Sequence, residues 1–409
     1  MVFENLDLTT PRSHLIGYLN FNYNREDLQF FEDKVQVDAV FKESTVALDE
    51  LNVLYDEFGK NQVVQLNTRL SGTLNNLDAT NLYVSTSKNT VIDGQINFKN
   101  LFNAQENNFV MDGTFNNLSS NYRDLTALLP NVLGRSIPTS FKNLGNFKMT
   151  GTSRITTTKI NADLDIETGL GYVITNLELD RIDNIDNASY KGNVVLDEFD
   201  LGALVNDPLL GRTSLNVDVD GVGFTIENIN TELEGAIYNI DFNNYNYSLS
   251  NVSGHFENKV FNGALESEEV NLKMNFDGLV DFSNPQKNVF DFKANVKHAN
   301  LRALQIVTRD SLSLFSGKVT MNMQGKTIDD VAGDIKFENT LYKNENSDYY
   351  FKDFAVTSKF NNDVRKLTIN SPEIVQGTLE GKFKFANVLK LVENSVGSCL
   401  LYTSPSPRD

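Results

Sequence analysis

Leu215-Asn216-Val217-Asp218-Val219-Asp220-Gly221 alternates apolar and polar residues without a break, and this period of two decides the fold class. Successive side chains of a β-strand point to opposite faces, so Leu215, Val217 and Val219 share one face and Asn216, Asp218 and Asp220 the other. The same alternation returns in Ile160-x-Ala162-x-Leu164-x-Ile166, Val270-x-Leu272-x-Met274-x-Phe276, Phe290-x-Phe292-x-Ala294-x-Val296 and Val319-x-Met321-x-Met323. Each run predicts a strand with one oily and one wetted face. Asn116-Asn117, Asp220-Gly221, Ser283-Asn284-Pro285 and Asn361-Asn362-Asp363 are read as the intervening turns. The predicted fold is all-β: an elongated antiparallel repeat sheet.

Helical character is confined to short islands of one form: Asp124-Leu125-x-x-Leu128, Asp200-Leu201-x-x-Leu204, Asn300-Leu301-x-x-Leu304 and Asn387-Val388-x-x-Leu391. Asp or Asn is a favoured N-cap, and apolar residues three apart lie on one side of a single turn. The islands read as plugs between sheet segments. Two modules align: Leu215 to Gly221 is followed by Thr225-Ile226 and Gly235, and Val319 to Gly325 by Thr327-Ile328 and Gly333. More loosely, Leu272-x-Met274-x-Phe276-x-Gly278 corresponds to Leu379-x-Gly381-x-Phe383-x-Phe385. A reused unit is the signature of a solenoid-like stack. The expected segments are 1–120, 121–199, 200–299 and 300–395, with 396–409 a tail whose Cys399 to Asp409 portion resembles translated sequencing adapter.

A formal charge of -18 with scattered Lys and Arg argues against a nucleic-acid partner, which needs clustered cations. Hydrophobic residues at 40% suffice for an ordered chain. No run of about 18 apolar residues exists to span a bilayer as a helix, and Met1-Val2-Phe3-Glu4-Asn5 lacks the basic and apolar regions of a signal peptide. The single cysteine allows no internal disulfide.

The sharpest motif is Asn216-x-Asp218-x-Asp220-Gly221 with Glu227 in twelfth place, which fits a calcium-loop spacing. Asp207-Pro208-Leu209-Leu210-Gly211 breaks the helix that such a loop needs, and Val217 and Val219 make the acids the outer face of a strand. The equivalent Thr320, Asn322 and Gln324 carry no charge. No metal or other cofactor is expected. Gly221-Val222-Gly223 reads as a turn, and His14, His255 and His298 lack ligand-like spacing. Asp183 with Asp186, and Glu266 with Glu268 and Glu269, lie among ordinary turn residues, so a non-enzymatic protein is expected.

The run Glu198-Phe-Asp-Leu-Gly-Ala-Leu204, then Gly211 to Gly221 and Phe224-Thr-Ile-Glu-Asn-Ile229, resembles the repeating portion of the TamB/AsmA-like family of Gram-negative translocation and assembly module proteins. Ala299-Asn-Leu-Arg-Ala-Leu304 followed by Ser311 to Gly317 does so too, and the Asn-rich flavour is similar to Bacteroidetes-type members. The resemblance runs from about Lys34 to Val392. It implies a sheet curled into a β-taco trough in the periplasm that conducts phospholipid between inner and outer membranes and supports outer-membrane protein assembly. It further implies attachment to the inner membrane through an N-terminal anchor, and docking to a TamA-like outer-membrane barrel through a C-terminal region, both lying outside this fragment.

Under that reading the groove candidates are Ile160, Leu164, Ile166, Leu215, Val217, Val219, Leu272, Met274, Phe276, Phe290, Phe292, Val319, Met321, Met323, Phe383 and Phe385. Periodicity alone leaves open the alternative of a non-catalytic structural or adhesin-like β-solenoid spacer whose stripe is a filled core.

Overall fold

The computed structural model describes residues 1–53, 58–100, 109–128, 130, 137, 139–225 and 227–385. The expected island at Asn387 to Leu391 and the tail 396–409 lie outside the described residues.

The chain divides into two compact units, Met1–Asn258 and Lys259–Asp409. The division falls inside the expected segment 200–299.

The first unit is a meander of β1 (Val2–Thr9), β2 (His14–Asn22), β3 (Gln36–Ala47), β4 (Val63–Thr73), β5 (Asn76–Thr86), β6 (Val91–Lys99), β7 (Val110–Asn121), β8 (Asn146–Thr156), β9 (Lys159–Thr168), β10 (Gly171–Asp180), β11 (Ser189–Asp200), β12 (Leu210–Val222), β13 (Asn230–Phe242) and β14 (Tyr245–Glu257). Each pairs antiparallel with the next. Among the described residues β1 and β14 do not pair with each other, so the sheet of this unit is open.

The second unit repeats the plan with β15 (Val260–Glu268), β16 (Leu272–Asp281), β17 (Asn288–Asn300), β18 (Ser313–Gly325), β19 (Ala332–Asn344), β20 (Asp348–Asn361), β21 (Val364–Ser371) and β22 (Val375–Gly381). It too is antiparallel throughout, with no pairing of β15 to β22 among the described residues.

Ser283-Asn284-Pro285 is a turn, where the Lys287 N–H donates to the Asn284 carbonyl at 2.9 Å, and Asn362-Asp363 closes a hairpin on the Asn361 and Val364 pair. Asn116-Asn117 and Asp220-Gly221, predicted as turns, instead lie within β7 and β12. At Asn116-Asn117 the register slips by one residue against both neighbours, so the polar pair marks a bulge. Asp220 and Gly221 stay in register with Glu232 and Thr231; an Asp-Gly signal yields when strand pairing continues on both sides. Gly221 and Val222 of the Gly221-Val222-Gly223 run likewise belong to β12, and Gly223 follows its end at φ 82°. Val270, predicted as the first residue of a strand run, falls instead between β15 and β16 and is 78% exposed.

Other bulges take their extra residue at positive φ, as at Glu43 (50°), Asn81 (49°) and Glu198 (47°). Glycine serves where strands crowd. At Gly192 (φ 143°) a Cβ would meet the Asn176 carbonyl oxygen at 2.0 Å, and at Gly333 (φ 128°) the Asn322 oxygen at 2.1 Å.

The two aligned modules share a loop as well as strands. After the 13-residue β12, the Asn228 Oδ1 accepts from the Thr225 N–H at 2.8 Å and from its hydroxyl at 2.9 Å. After the 13-residue β18, the Asp330 Oδ1 accepts from the Thr327 N–H at 2.5 Å and from its hydroxyl at 2.7 Å. The repeat read in the sequence is therefore a repeat of local structure.

The Thr327 hydroxyl, followed by the Lys326 and Thr327 N–H groups, lowers the pKa of Asp330 to about 2. A folded pKa below the unfolded value adds stability that is complete above about pH 4 and disappears as pH falls through 2. Because Asp330 is exposed, solvent screening limits this to on the order of 1 kcal/mol. Asp330→Asn is expected to lower the urea midpoint at pH 7, and the gap from the parent should narrow as pH falls from 4 to 2.

The islands differ in outcome. Asp200 caps the helix Leu201–Val205, accepting from the Ala203 N–H at 2.8 Å. Asp124 is not a cap. The helix Tyr122–Leu128 starts behind Asn121, whose Oδ1 accepts from the Asp124 N–H at 2.9 Å while its Nδ2 donates to the Asp124 carboxylate at 2.8 Å. At Asn300 the side chain accepts from the Ala303 N–H at 3.1 Å, yet residues 301–305 form only turns.

Candidate functional site

Strand register turns the one-dimensional alternation into continuous rows, because directly paired residues lie on the same face of the sheet. In the first unit one such row crosses from β2 to β14 through Leu19, Ala39, Leu70, Ala79, Ile96, Gly113, Ser153, Ala162, Leu177, Gly192, Val219, Leu233 and Gly254. The next row, on the opposite face, runs through Asn20, Asp38, Ser71, Asp78, Asn97, Asp112, Arg154, Asn161, Glu178, Lys191, Asp220, Glu232 and His255. The first has only aliphatic, glycine and serine members, whereas the second has only polar ones.

The predicted residues of this unit all fall on the apolar face. Ile160 pairs with Ile155 and Leu179; Leu164 belongs to a row that reaches Val217 through Thr175 and Val194. Ile166 is joined to Leu215 through Val173 and Leu196, and Val219 lies in the first row above.

The second unit is built alike. Leu265, Phe276, Ala294, Val319, Phe337 and Phe354 form one row from β15 to β20, and Glu266, Asn275, Asn295, Lys318, Glu338 and Asp353 form the row beside it on the other face. Phe292 pairs with Met321, Phe290 with Met323, and Met274 with Val296 on the apolar face, while Leu272 pairs with Ala299.

Among the predicted residues Val217, Leu272 and Phe276 are buried, each 8% exposed, and the others retain partial exposure. A filled sandwich core would cover nearly all of them. The face is therefore sheltered by its own neighbours and left accessible over much of its extent.

It is closed locally. Leu128 packs with Val46, Leu48 and Val64, and Leu125 packs with Phe115 and Leu118. The turn at Ile182 and Ala188 lies against Ile160, Leu179 and Phe224. These plugs meet the apolar face near strand ends, as the island spacing suggested for Leu125 and Leu128.

Phe383 and Phe385 have a different setting from the other candidates. β22 ends at Gly381, and both rings lie over the Arg365 guanidinium, at 5.9 and 4.5 Å, with Phe360 at 5.2 Å. Arg365 is 1% exposed. It donates to the Ser358 hydroxyl at 2.9 Å and to the carbonyls of Ile328, Asp329 and Val331 at 3.1, 3.3 and 2.9 Å. Burial lowers its pKa, and Asp329 and Asp330 oppose that shift. The two phenylalanines thus shield a buried cation that pins the loop after β18.

The polar face is a lattice of exposed pairs, including Arg69 with Asp38 at 2.8 Å, Arg154 with Asp112 at 3.0 Å and Lys191 with Asp220 at 2.8 Å. Such pairs contribute little stability each, about 0 to 1 kcal/mol. The calcium-like acids belong here: the Asn193 amide donates to Asn216 and Asp218 at 2.9 Å each, and an extended strand spreads their side chains apart. A hollow of about 560 Å³ on this face is lined by Asp78, Asn97, Asp112, Arg154 and Asp163. His14 contacts Asp7 at 2.8 Å, His255 contacts Glu232 at 2.8 Å, and His298 pairs in register with Lys273. Glu268 is held by Lys297 at 2.6 Å and Glu266 accepts from Asn275 at 3.1 Å; the side chains of Asp183 and Asp186 lie outside the described residues.

A second hollow, of about 530 Å³, lies on the second unit and is lined by Phe315, Phe337, Tyr342, Tyr349, Phe351 and Phe354 with Arg309 at its margin. The alternation pattern did not single it out, although aromatic density from Tyr342 to Phe354 was there to be read. No helix among the described residues is long and apolar enough to cross a membrane. No family model, curated protein or solved structure matches the chain.

Proposed function

We propose that this chain is part of a TamB/AsmA-like envelope protein that carries phospholipid acyl chains along its apolar face between inner and outer membranes and thereby supports outer-membrane assembly. One observation carries the reading: in each unit largely apolar rows run strand after strand in register, interrupted only by small uncharged residues such as Ser153 and Thr175 and by no charged side chain along the rows described, and most of their side chains keep some exposure. An acyl chain laid on such a floor is stabilised by about 0.8 kcal/mol per CH₂ removed from water. Headgroups need no matching site, so passage requires no chemistry and no cofactor. Periplasmic location, an inner-membrane anchor and a TamA-like barrel partner belong to the same proposal.

The local closures at Leu125, Leu128 and Ile182 favour a second reading, a dry spacer whose stripe is largely self-filled. Lipid content separates the two. The full chain purified from an envelope fraction and extracted with organic solvent is expected to release more than one phospholipid per chain. A protein free of lipid that also fails to take it up from vesicles would favour the spacer.

A further inference from the structure

Six rings converge where β18 and β20 begin and β19 ends, beside the Leu301 turn. Phe337 is their hub, with centroids 6.1 Å from Phe315, 6.5 Å from Phe351 and 6.1 Å from Phe354, and Tyr342 stacks on Tyr349 at 6.2 Å. In a core such rings would be covered. Here Tyr349 is 46% exposed and the others stay partly exposed around the hollow.

One margin is polar and rigid. Arg309 Nε donates to Asp310 Oδ1 at 2.7 Å and its Nη2 to Oδ2 at 3.1 Å. The Tyr342 hydroxyl also donates to Asp310 Oδ2, at 2.8 Å, and itself accepts from the Ser313 hydroxyl at 3.2 Å. The Asp310 side chain is 7% exposed and fully engaged, whereas that of Arg309 is 84% exposed. A guanidinium has five N–H donors in a planar fork, so one edge is fixed against Asp310 and the other faces water beside the rings.

We propose that this hollow is a discrete binding site for one acyl chain bearing an anionic headgroup, with the chain among the rings and the headgroup oxygens on the outer edge of Arg309. It rests on the reading that the apolar face carries acyl chains, and adds a resting place with headgroup preference. The volume lies within the usual small-ligand pocket range of about 300 to 1,000 Å³. Continuity supports the same occupant, because Phe337 and Phe354 belong both to the hollow and to the apolar row. Charge supports it too. Among the described residues Arg309 is the only charged side chain lining the hollow, and its partner carboxylate is engaged by the Tyr342 hydroxyl.

The chain contains no tryptophan, so a single Trp is an unambiguous reporter. Tyr349→Trp places one at the hollow, and Phe290→Trp places one elsewhere on the apolar face. The probes are 9,10-dibromostearate, its methyl ester, and phosphatidylglycerol bearing the same brominated chain, each below its aggregation threshold. Quenching of the Tyr349→Trp reporter is expected to saturate, at about five- to tenfold lower concentration for an anionic probe than for the ester. Adding Arg309→Gln should erase that difference and leave ester quenching unchanged. If either the carboxylate or the phospholipid alone shows the advantage, the site stands and its source is identified. Quenching at residue 290 but not at 349 would overturn the site and leave the acyl path intact; no quenching at either would overturn both. Equal response to ester and anions would overturn the headgroup preference.

Discussion

Met321→Asp is expected to weaken acyl-chain binding by about a hundredfold while leaving the protein folded. Met321 lies mid-row between Phe292 and Ile335, among partly exposed apolar side chains. A lipid chain covering this position would bury the carboxylate. An Asp at the centre of a hydrocarbon layer costs about 2.5 to 3.5 kcal/mol, and each 1.4 kcal/mol is tenfold in affinity. Without lipid the same carboxylate reaches water through the open face, so the loss of folding stability is about 1 to 2 kcal/mol. A filled core responds differently. There the charge would be unpaired and dry at all times, with a cost above about 4 kcal/mol and no separate effect on binding. Urea unfolding alongside a lipid-binding isotherm reads both quantities. Asn322→Gln, on the opposite face, should change neither.

Arg365→Ala is expected to give the largest stability loss of any single substitution considered, about 3 to 5 kcal/mol. The change removes a nearly fully buried side chain and the donors to three carbonyls and one hydroxyl, leaving the Phe360, Phe383 and Phe385 rings around a void. Arg365→Lys keeps the charge and loses the fork, so it should lie between parent and Ala. Urea unfolding gives the magnitude, and amide hydrogen exchange should locate the loosening at residues 326–331. A loss under about 1 kcal/mol, or protection unchanged in that loop, would contradict the role assigned to Arg365.

The strands and their apolar face were legible because alternation of period two has a single structural meaning when one face is sheltered. Ile160 to Ile166, Leu215 to Val219 and Val319 to Met323 could be assigned to a face from sequence alone. Their joining into rows could not, because register across strands depends on bulges such as those near Glu198 and Asn116, which leave no reliable local signal. Asp220-Gly221 misled because turn chemistry was weighed without its pairing partners. Arg365 was missed although a cue existed: it occupies an apolar-parity position beside Leu367 and Ile369, with Phe383 and Phe385 following. A charge at the wrong parity with rings downstream signals a sheltered cation. The aromatic hollow escaped because its rings come from three strands and a bulged segment, where strict alternation lapses.

The most direct measurement is photocrosslinking of the full chain with a phospholipid carrying a diazirine midway along its acyl chain, followed by peptide mapping. Adducts are expected on apolar-face residues of both units, such as Leu164, Leu215, Phe292 and Met321, and not on their neighbours Asp163, Asn216, Asp291 and Asn322. Adducts spread equally over both faces, or none above the level of a non-binding control protein, would contradict an apolar face available to lipid.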